Sequence, residues 1–205
     1  VVEPRPGRLL AEGGLAYPRR VADAGGRPIF RPPLIDQIGP MLDLCDGFIL
    51  TGGDDPRTEG FGQPTDPRTT PVHAARQAFE EALIAALLAR PDIPVLGICL
   101  GMQMLALMCG GRLDQYLPAS LATAEDHRGD RVHRIEPVAD AAGHWLASGL
   151  VASSHKQAVA EPGSTRVLAR SHDGVIEAIE RPGSRFCLGV QWHPEYWAKS
   201  DDASA

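Results

Sequence analysis

The sequence has no run of lysine or arginine longer than a pair, and its 20 basic residues are outnumbered by 26 acidic ones, for a net charge of −6. That balance excludes the electrostatic footprint of a nucleic-acid partner or an anionic membrane surface. Cysteine is scarce and scattered: Cys45, Cys99, Cys109 and Cys187 form no Cys-x-x-Cys pair. The spacing excludes a zinc finger and a disulfide framework and reads as reduced thiols of a cytoplasmic protein. His127, His133, His144 and His172 show no metal-ligand spacing, so neither a metal nor an organic cofactor is expected.

Repeats at solenoid periods and Ser/Gly linkers are also missing, which makes one domain over residues 1–205 the expectation. The opening Val1 to Leu10 carries Glu3, Arg5, Arg8 and two prolines, so no signal-peptide apolar core is present there. The uncharged run from Ile93 to Gly111 is long enough to suggest a membrane span. Pro94, four glycines and Gln103 argue instead for a buried strand that runs into a buried helix. With 43% apolar and 22% charged residues, the chain has a globular composition, and its length allows a core without staples.

Periodicity and turn signals outline the elements. A short helix is expected between Gly14 and Ala24, then a short strand at Arg27-Pro28-Ile29-Phe30 stopped by Pro32-Pro33. A buried strand at Asp46–Leu50 leads into a long loop from Thr51 to about residue 70. Ala75, Ala78, Phe79, Ala82, Leu83, Ala86 and Leu87 mark one face of a helix over Pro71–Arg90. The apolar strand Ile93–Ile98 follows, then a turn at Cys99 and a helix that closes at Gly110-Gly111. This alternation implies a parallel sheet covered on both faces. Segments 166–170, 175–180 and 186–191 read as an antiparallel meander. Trp145, Trp192 and Trp197 are expected at the sheet edges, and Cys45, Cys109 and Cys187 in the core.

Chemistry concentrates in two places. Gly97-Ile98-Cys99-Leu100-Gly101 has the Gly-x-nucleophile-x-Gly form at a strand-to-helix junction. There the free N–H groups and dipole of the helix favour a thiolate. A cysteine nucleophile needs a base and something to orient it, and His193-Pro194-Glu195 supplies both. Acyl transfer also needs donors for an oxyanion. The N–H of Leu100 is one candidate, and the Gly52-Gly53 turn offers a second.

Thr51-Gly52-Gly53-Asp54, Gly97-Ile98-Cys99-Leu100-Gly101-Met102-Gln103 and Gln191-Trp192-His193-Pro194-Glu195 resemble the signature segments of class I glutamine amidotransferase-like proteins. Within that superfamily the chain is similar to the gamma-glutamyl-gamma-aminobutyrate hydrolases, on Gly110–Gln115, Ser153–Val159 and Asp173–Glu180. The resemblance implies an α/β flavodoxin-like three-layer sandwich with a mostly parallel central sheet and a C-terminal antiparallel meander. It also implies hydrolysis of a small γ-glutamyl amide through a γ-glutamyl thioester. Cys99, His193 and Glu195 would form the catalytic triad, with Gly53 and Leu100 as oxyanion donors. Gln103, Ser154 and His155 would lie near the glutamyl head group. Leu100 replaces an arginine frequent in that family, Ala152 an asparagine and Lys156 a second histidine, and the loop at Asp54-Asp55-Pro56 is short. Two other functions fit the motifs: a glutaminase subunit that passes ammonia to a partner synthase, and a non-catalytic binder of small amino compounds. A homodimer through exposed helices would be ordinary for this architecture.

Overall fold

The computed structural model describes residues 2–5, 8–139 and 146–199; side chains before residue 11 and after residue 196 are not described. A hairpin of β1 (Val2–Arg5) and β2 (Arg8–Ala11) precedes helices α1 (Ala16–Asp23) and α2 (Ile38–Leu44). Strand β3 (Phe48–Leu50), helix α3 (Ala74–Leu88), strand β4 (Val95–Ile98) and helix α4 (Leu100–Met108) form the next unit. Strand β5 (Arg112–Asp114) and the single turn α5 (Leu117–Ser120) lead to β6 (Arg131–Pro137) and β7 (Gly149–Ser153). The chain finishes with β8 (Ala158–Glu161), β9 (Arg166–Ser171), β10 (Ile176–Glu180), β11 (Cys187–Val190) and a 3₁₀ segment, Pro194–Lys199.

Seven strands form one sheet in the order β3-β4-β11-β10-β9-β6-β7. Only β3 with β4 and β4 with β11 run parallel; the other four joins are antiparallel. The sheet is therefore mixed where a mostly parallel one is expected. The cause is loop length: tight turns join β9 to β10 and β10 to β11, and a tight turn can only reverse a strand. The meander is present, and its last strand returns beside β4, so Val190 pairs with Ile98.

Helix α4 explains the uncharged run. All its residues from Leu100 to Leu107 are buried, because it is packed between the sheet, α3 and β5–β8. No described helix is long and apolar enough to cross a membrane. The opposite face of the sheet, with Ile98, Leu168, Ala178, Leu188 and Val190, is covered by Tyr17, Leu146 and Trp192. Helix α1 buries none of its residues fully, so this second layer is thin.

Three expectations fail, the first at the cysteines: Cys187 is buried, but Cys45 and Cys109 are only half-buried. Arg27–Phe30 forms no strand, and Ile29 and Phe30 stay exposed; Pro28 lacks the N–H that a ladder needs. In α3 the buried face includes Phe79, Leu83 and Leu87, but its first two turns bury Arg76, Gln77 and Glu80 while Ala78 is exposed. Polar burial there serves the neighbouring loop. His144 and Trp145 lie outside the described residues, as does the Trp197 side chain.

Candidate active site

Cys99 stands between β4 and α4 at φ 51°, ψ −104°, a conformation rare for any residue with a Cβ. Its N–H donates to Val190 O at 2.8 Å, which ties the elbow to β11. Gly101 is required by contact: a Cβ there would lie 2.7 Å from Leu50 Cβ. The close approach brings the first turn of α4 beside the end of β3.

His193 follows β11, and its N–H donates to Ala152 O at 3.1 Å. Its Nδ1 lies 2.7 Å from Oε1 of Glu195, which is buried. Burial works against a charged imidazole, but hydrogen bonds with Cys99 and Glu195 outweigh it and push the His193 pKa up to about 10. Arg20 Nε donates to the Glu195 carbonyl at 3.2 Å. Tyr17 Oη accepts the Gly52 N–H at 3.0 Å. Burial and the adjacent Glu195 carboxylate raise the Tyr17 phenol above its usual range.

The Gly52-Gly53 loop is held from behind by Arg76, whose Nη2 donates to Thr51 O at 3.1 Å and Gly52 O at 3.0 Å. The same guanidinium donates through Nε to Glu80 at 2.8 Å, both side chains being buried. A Cβ on Gly52 would sit 2.9 Å from His193 Cε1, and one on Gly53 would sit 3.1 Å from Leu100 Cδ2. The Gly53 backbone thus packs against the Leu100 side chain.

A cleft of about 290 Å³ opens beside these groups, lined by Gly53, Cys99, Gln103, Ser154 and His155 among others. Gln103 Nε2 donates to Gln157 O and Gln191 Oε1, both at 3.3 Å, and Gln191 Nε2 donates to Cys99 Sγ at 3.5 Å. Asp54, Asp55, Arg128 and Lys156 also line it, with Lys156 Nζ 3.0 Å from Asp55 Oδ2. His155 turns its nitrogens elsewhere: Nδ1 is 2.8 Å from Gln157 O, and Nε2 is 3.6 Å from Glu177 Oε1.

Of the eight residues singled out in the sequence, Gly53, Cys99, Gln103, Ser154 and His155 line the cleft; Leu100 adjoins Cys99, and Glu195 stands behind His193. Missed were Tyr17, Arg76, Gln191 and Arg128. Gln191 was visible in its motif without a role, and Arg76 gave a signal only as a charge on a helix otherwise read as apolar. His127 and His133, which show no metal-ligand spacing in the sequence, meet beside Glu177 in the structure.

A thiol on a strand-to-helix elbow beside a His–carboxylate pair, mounted on this sheet, defines the glutamine amidotransferase-like class. A glutamine amidotransferase crystal structure from Thermotoga maritima matches with a TM-score of 0.59 at 18% identity, over 90% of this chain and 75% of that one. At that identity the likeness concerns the fold alone. The chain belongs to the peptidase C26 family, which matches residues 13–195. A Mycobacterium tuberculosis relative, provisionally named a glutamine amidotransferase, is 39% identical over 188 residues, covering 87% of this chain and 61% of its own length. The gamma-glutamyl-gamma-aminobutyrate hydrolase of Escherichia coli O157:H7 is 35% identical over 217 residues, covering 91% of this chain and 79% of its own.

Proposed function

We propose that the chain is a cysteine-dependent hydrolase of γ-glutamyl amide bonds. The 2.7 Å contact between His193 Nδ1 and Glu195 carries the reading. A carboxylate can only accept, so it fixes the proton on Nδ1 and leaves Nε2 to serve Cys99. Cys99 gives its thiol proton to His193 Nε2 and its Sγ attacks the γ-carbonyl carbon, and the oxyanion is received by the N–H groups of Gly53 and Leu100. The His193 imidazolium gives its Nε2 proton to the leaving nitrogen, the C–N bond breaks, and a γ-glutamyl thioester remains. Water then adds to the thioester with His193 as base, the C–S bond breaks, and glutamate leaves with the thiol restored.

The substrate class rests on the E. coli relative's name and on the cleft. Its volume of about 290 Å³ suits a small ligand, and the walls carry both signs of charge through Asp54 and Arg128, as a zwitterionic glutamyl head requires. Gln103, Ser154 and His155 form the wall that the head group would meet. The mycobacterial relative's name favours a second reading, in which the same thioester forms from glutamine and the ammonia passes to a partner synthase.

The test is intact-mass spectrometry after brief exposure to a glutamine-like chloroketone, with release of chromogen from a γ-glutamyl anilide measured in parallel. One adduct per chain and chromogen release, both lost in Cys99→Ala, support the hydrolase. Adduct formation with turnover only of glutamine, stimulated by a synthase, transfers the reading to the glutaminase. A folded protein that forms no adduct sinks both and leaves a non-catalytic binder.

A further inference from the structure

Behind the cleft wall, three histidines from three segments converge on one carboxylate. His127 ends the 3₁₀ turn Ala124–His127, His133 lies on β6, His155 follows β7 and Glu177 lies on β10. All four side chains are at most 3% exposed. Oε1 of Glu177 is 3.4 Å from His127 Nδ1, 3.2 Å from His133 Nε2 and 3.6 Å from His155 Nε2. Two of the contacts are within hydrogen-bond length but poorly aligned and the third is too long, so the inner nitrogens and both Glu177 oxygens make no well-formed hydrogen bond.

The outer nitrogens are all taken. His127 Nε2 is 3.0 Å from Asp173 Oδ2, His133 Nδ1 is 3.4 Å from Asp126 O, and His155 Nδ1 is 2.8 Å from Gln157 O. These oxygens only accept, so each outer nitrogen carries the proton and each inner nitrogen of a neutral ring presents its lone pair. Three lone pairs aimed at a buried carboxylate repel it unless a cation lies between them. Rings bonded outward to carbonyls or carboxylates and bare inward are the usual arrangement around a metal.

We infer that His127, His133 and Glu177 form the core of a buried structural site for a divalent transition metal of the zinc type, with His155 as the fourth ligand once its ring moves toward the ion. Bonds of about 2.0–2.1 Å at tetrahedral angles set ligand atoms roughly 3.3 Å apart, and the three distances to Glu177 span 3.2 to 3.6 Å. The inner atoms of His127, His133 and Glu177 all lie within 4.8 Å of one another, and His155, 3.6 Å from Glu177, stands outside that group. A divalent ion balances Glu177 and Asp173; two imidazolium rings would balance them too but leave the third ring's lone pair facing Glu177, and three would leave excess positive charge. Three imidazoles and one carboxylate suit zinc better than magnesium or calcium, and the lack of a solvent-facing position makes the site structural.

The fold prepares this position. The register of β10 against β9 shifts between Ile176 and Ala178, so Glu177 sits on a bulge, a device that re-aims a side chain. Strand β9 ends at Ser171, opposite Ile135, which leaves His133 beyond its end and open to Glu177. The centre also braces the cleft. Gln191 N–H donates to Glu177 O at 2.8 Å, and Gln157 O accepts from both His155 and Gln103.

The test does not depend on the hydrolase reading. The chain carrying Cys99→Ser, so that the thiol cannot compete as a ligand, is stripped with a chelator and titrated with Co²⁺. Uptake of one ion per chain with the intense visible absorption of four-coordinate cobalt, displaced by Zn²⁺ and accompanied by a rise in Tm, is expected. Asp173→Asn keeps all four ligands and should weaken binding by roughly 10–100-fold. His133→Gln should abolish the absorption, and His172→Ala, at an exposed ring, should leave it unchanged. Circular dichroism checks each variant for folding. Stripped, folded Cys99→Ser protein that takes up no stoichiometric Co²⁺, or an absorption that survives in folded His133→Gln, overturns the site and leaves protons as the cluster's counter-charge.

Discussion

Across the single residue Pro194, His193 Nδ1 lies 2.7 Å from Glu195 Oε1, and the proline's fixed φ keeps the two side chains on one side of the turn. The carboxylate is buried, so the contact is not diluted by water. Glu195→Gln retains the shape but can present an N–H to Nδ1, which selects the wrong tautomer. Turnover of a γ-glutamyl anilide is expected to fall by roughly 100-fold or more with little change in KM. A drop of only a few-fold would remove Glu195 from the orienting role.

The same pair sets a pH dependence of stability. His193 rises from an ordinary 6.5 to about 10 in the folded protein, so the folded state holds a proton that the unfolded state has released. Its contribution is complete below about pH 6.5 and is lost as the pH rises toward 10. Denaturation midpoints should therefore fall between pH 7 and about 10, and the fall should be shallower in His193→Gln. Parallel curves for the two proteins would contradict the shift.

Cys99 at φ 51° reverses a familiar order of substitutions. Alanine normally stabilises relative to glycine, yet here the Cβ itself is strained. Cys99→Gly should be more stable than Cys99→Ala by about 1 kcal/mol in urea denaturation, although both are inactive. Greater stability of the alanine variant would mean that the elbow stores no strain.

Tyr17 links the glycine loop to the Glu195 carboxylate, since its hydroxyl accepts from Gly52 N–H and lies beside Glu195. Tyr17→Phe leaves the ring on the sheet and removes only this link. The expected result is a loss of about 1 kcal/mol in stability with a several-fold lower kcat and nearly constant KM. An effect on KM alone would indicate a part in binding.

The parts of this molecule that were legible in the sequence are those written in short contiguous motifs. The elbow at Cys99, the His193–Glu195 pair and the Gly52-Gly53 turn each declare themselves within five residues, because backbone geometry dictates them locally. Long-range convergence leaves no such mark. His127, His133, His155 and Glu177 meet only because β6, β9 and β10 are neighbours and β10 is bulged. Arg27–Phe30 has strand-like residues but finds no partner strand, and Arg76 looks like a surface charge until the loop above it is placed.

Arg76 supplies the last and most exposed test of that reading. It is a buried cation with four oxygen partners, Thr51 O, Thr51 Oγ1, Gly52 O and Glu80 Oε1, and it supports the backbone from which Gly53 would donate. Burial already raises the Glu80 carboxyl above its ordinary range, with Arg76 opposing that rise. Arg76→Met would strand Glu80 and should cost about 3–5 kcal/mol at neutral pH. Because a carboxyl with a raised folded pKa takes up its proton first in the folded state, part of that loss should return as the pH is lowered toward 5. Arg76→Met with Glu80→Met should recover most of it. Arg76→Lys keeps the charge but not the planar fork, so it should cost less stability while still lowering turnover about tenfold. Activity that survives Arg76→Lys intact would show that the glycine loop holds its position without help from α3.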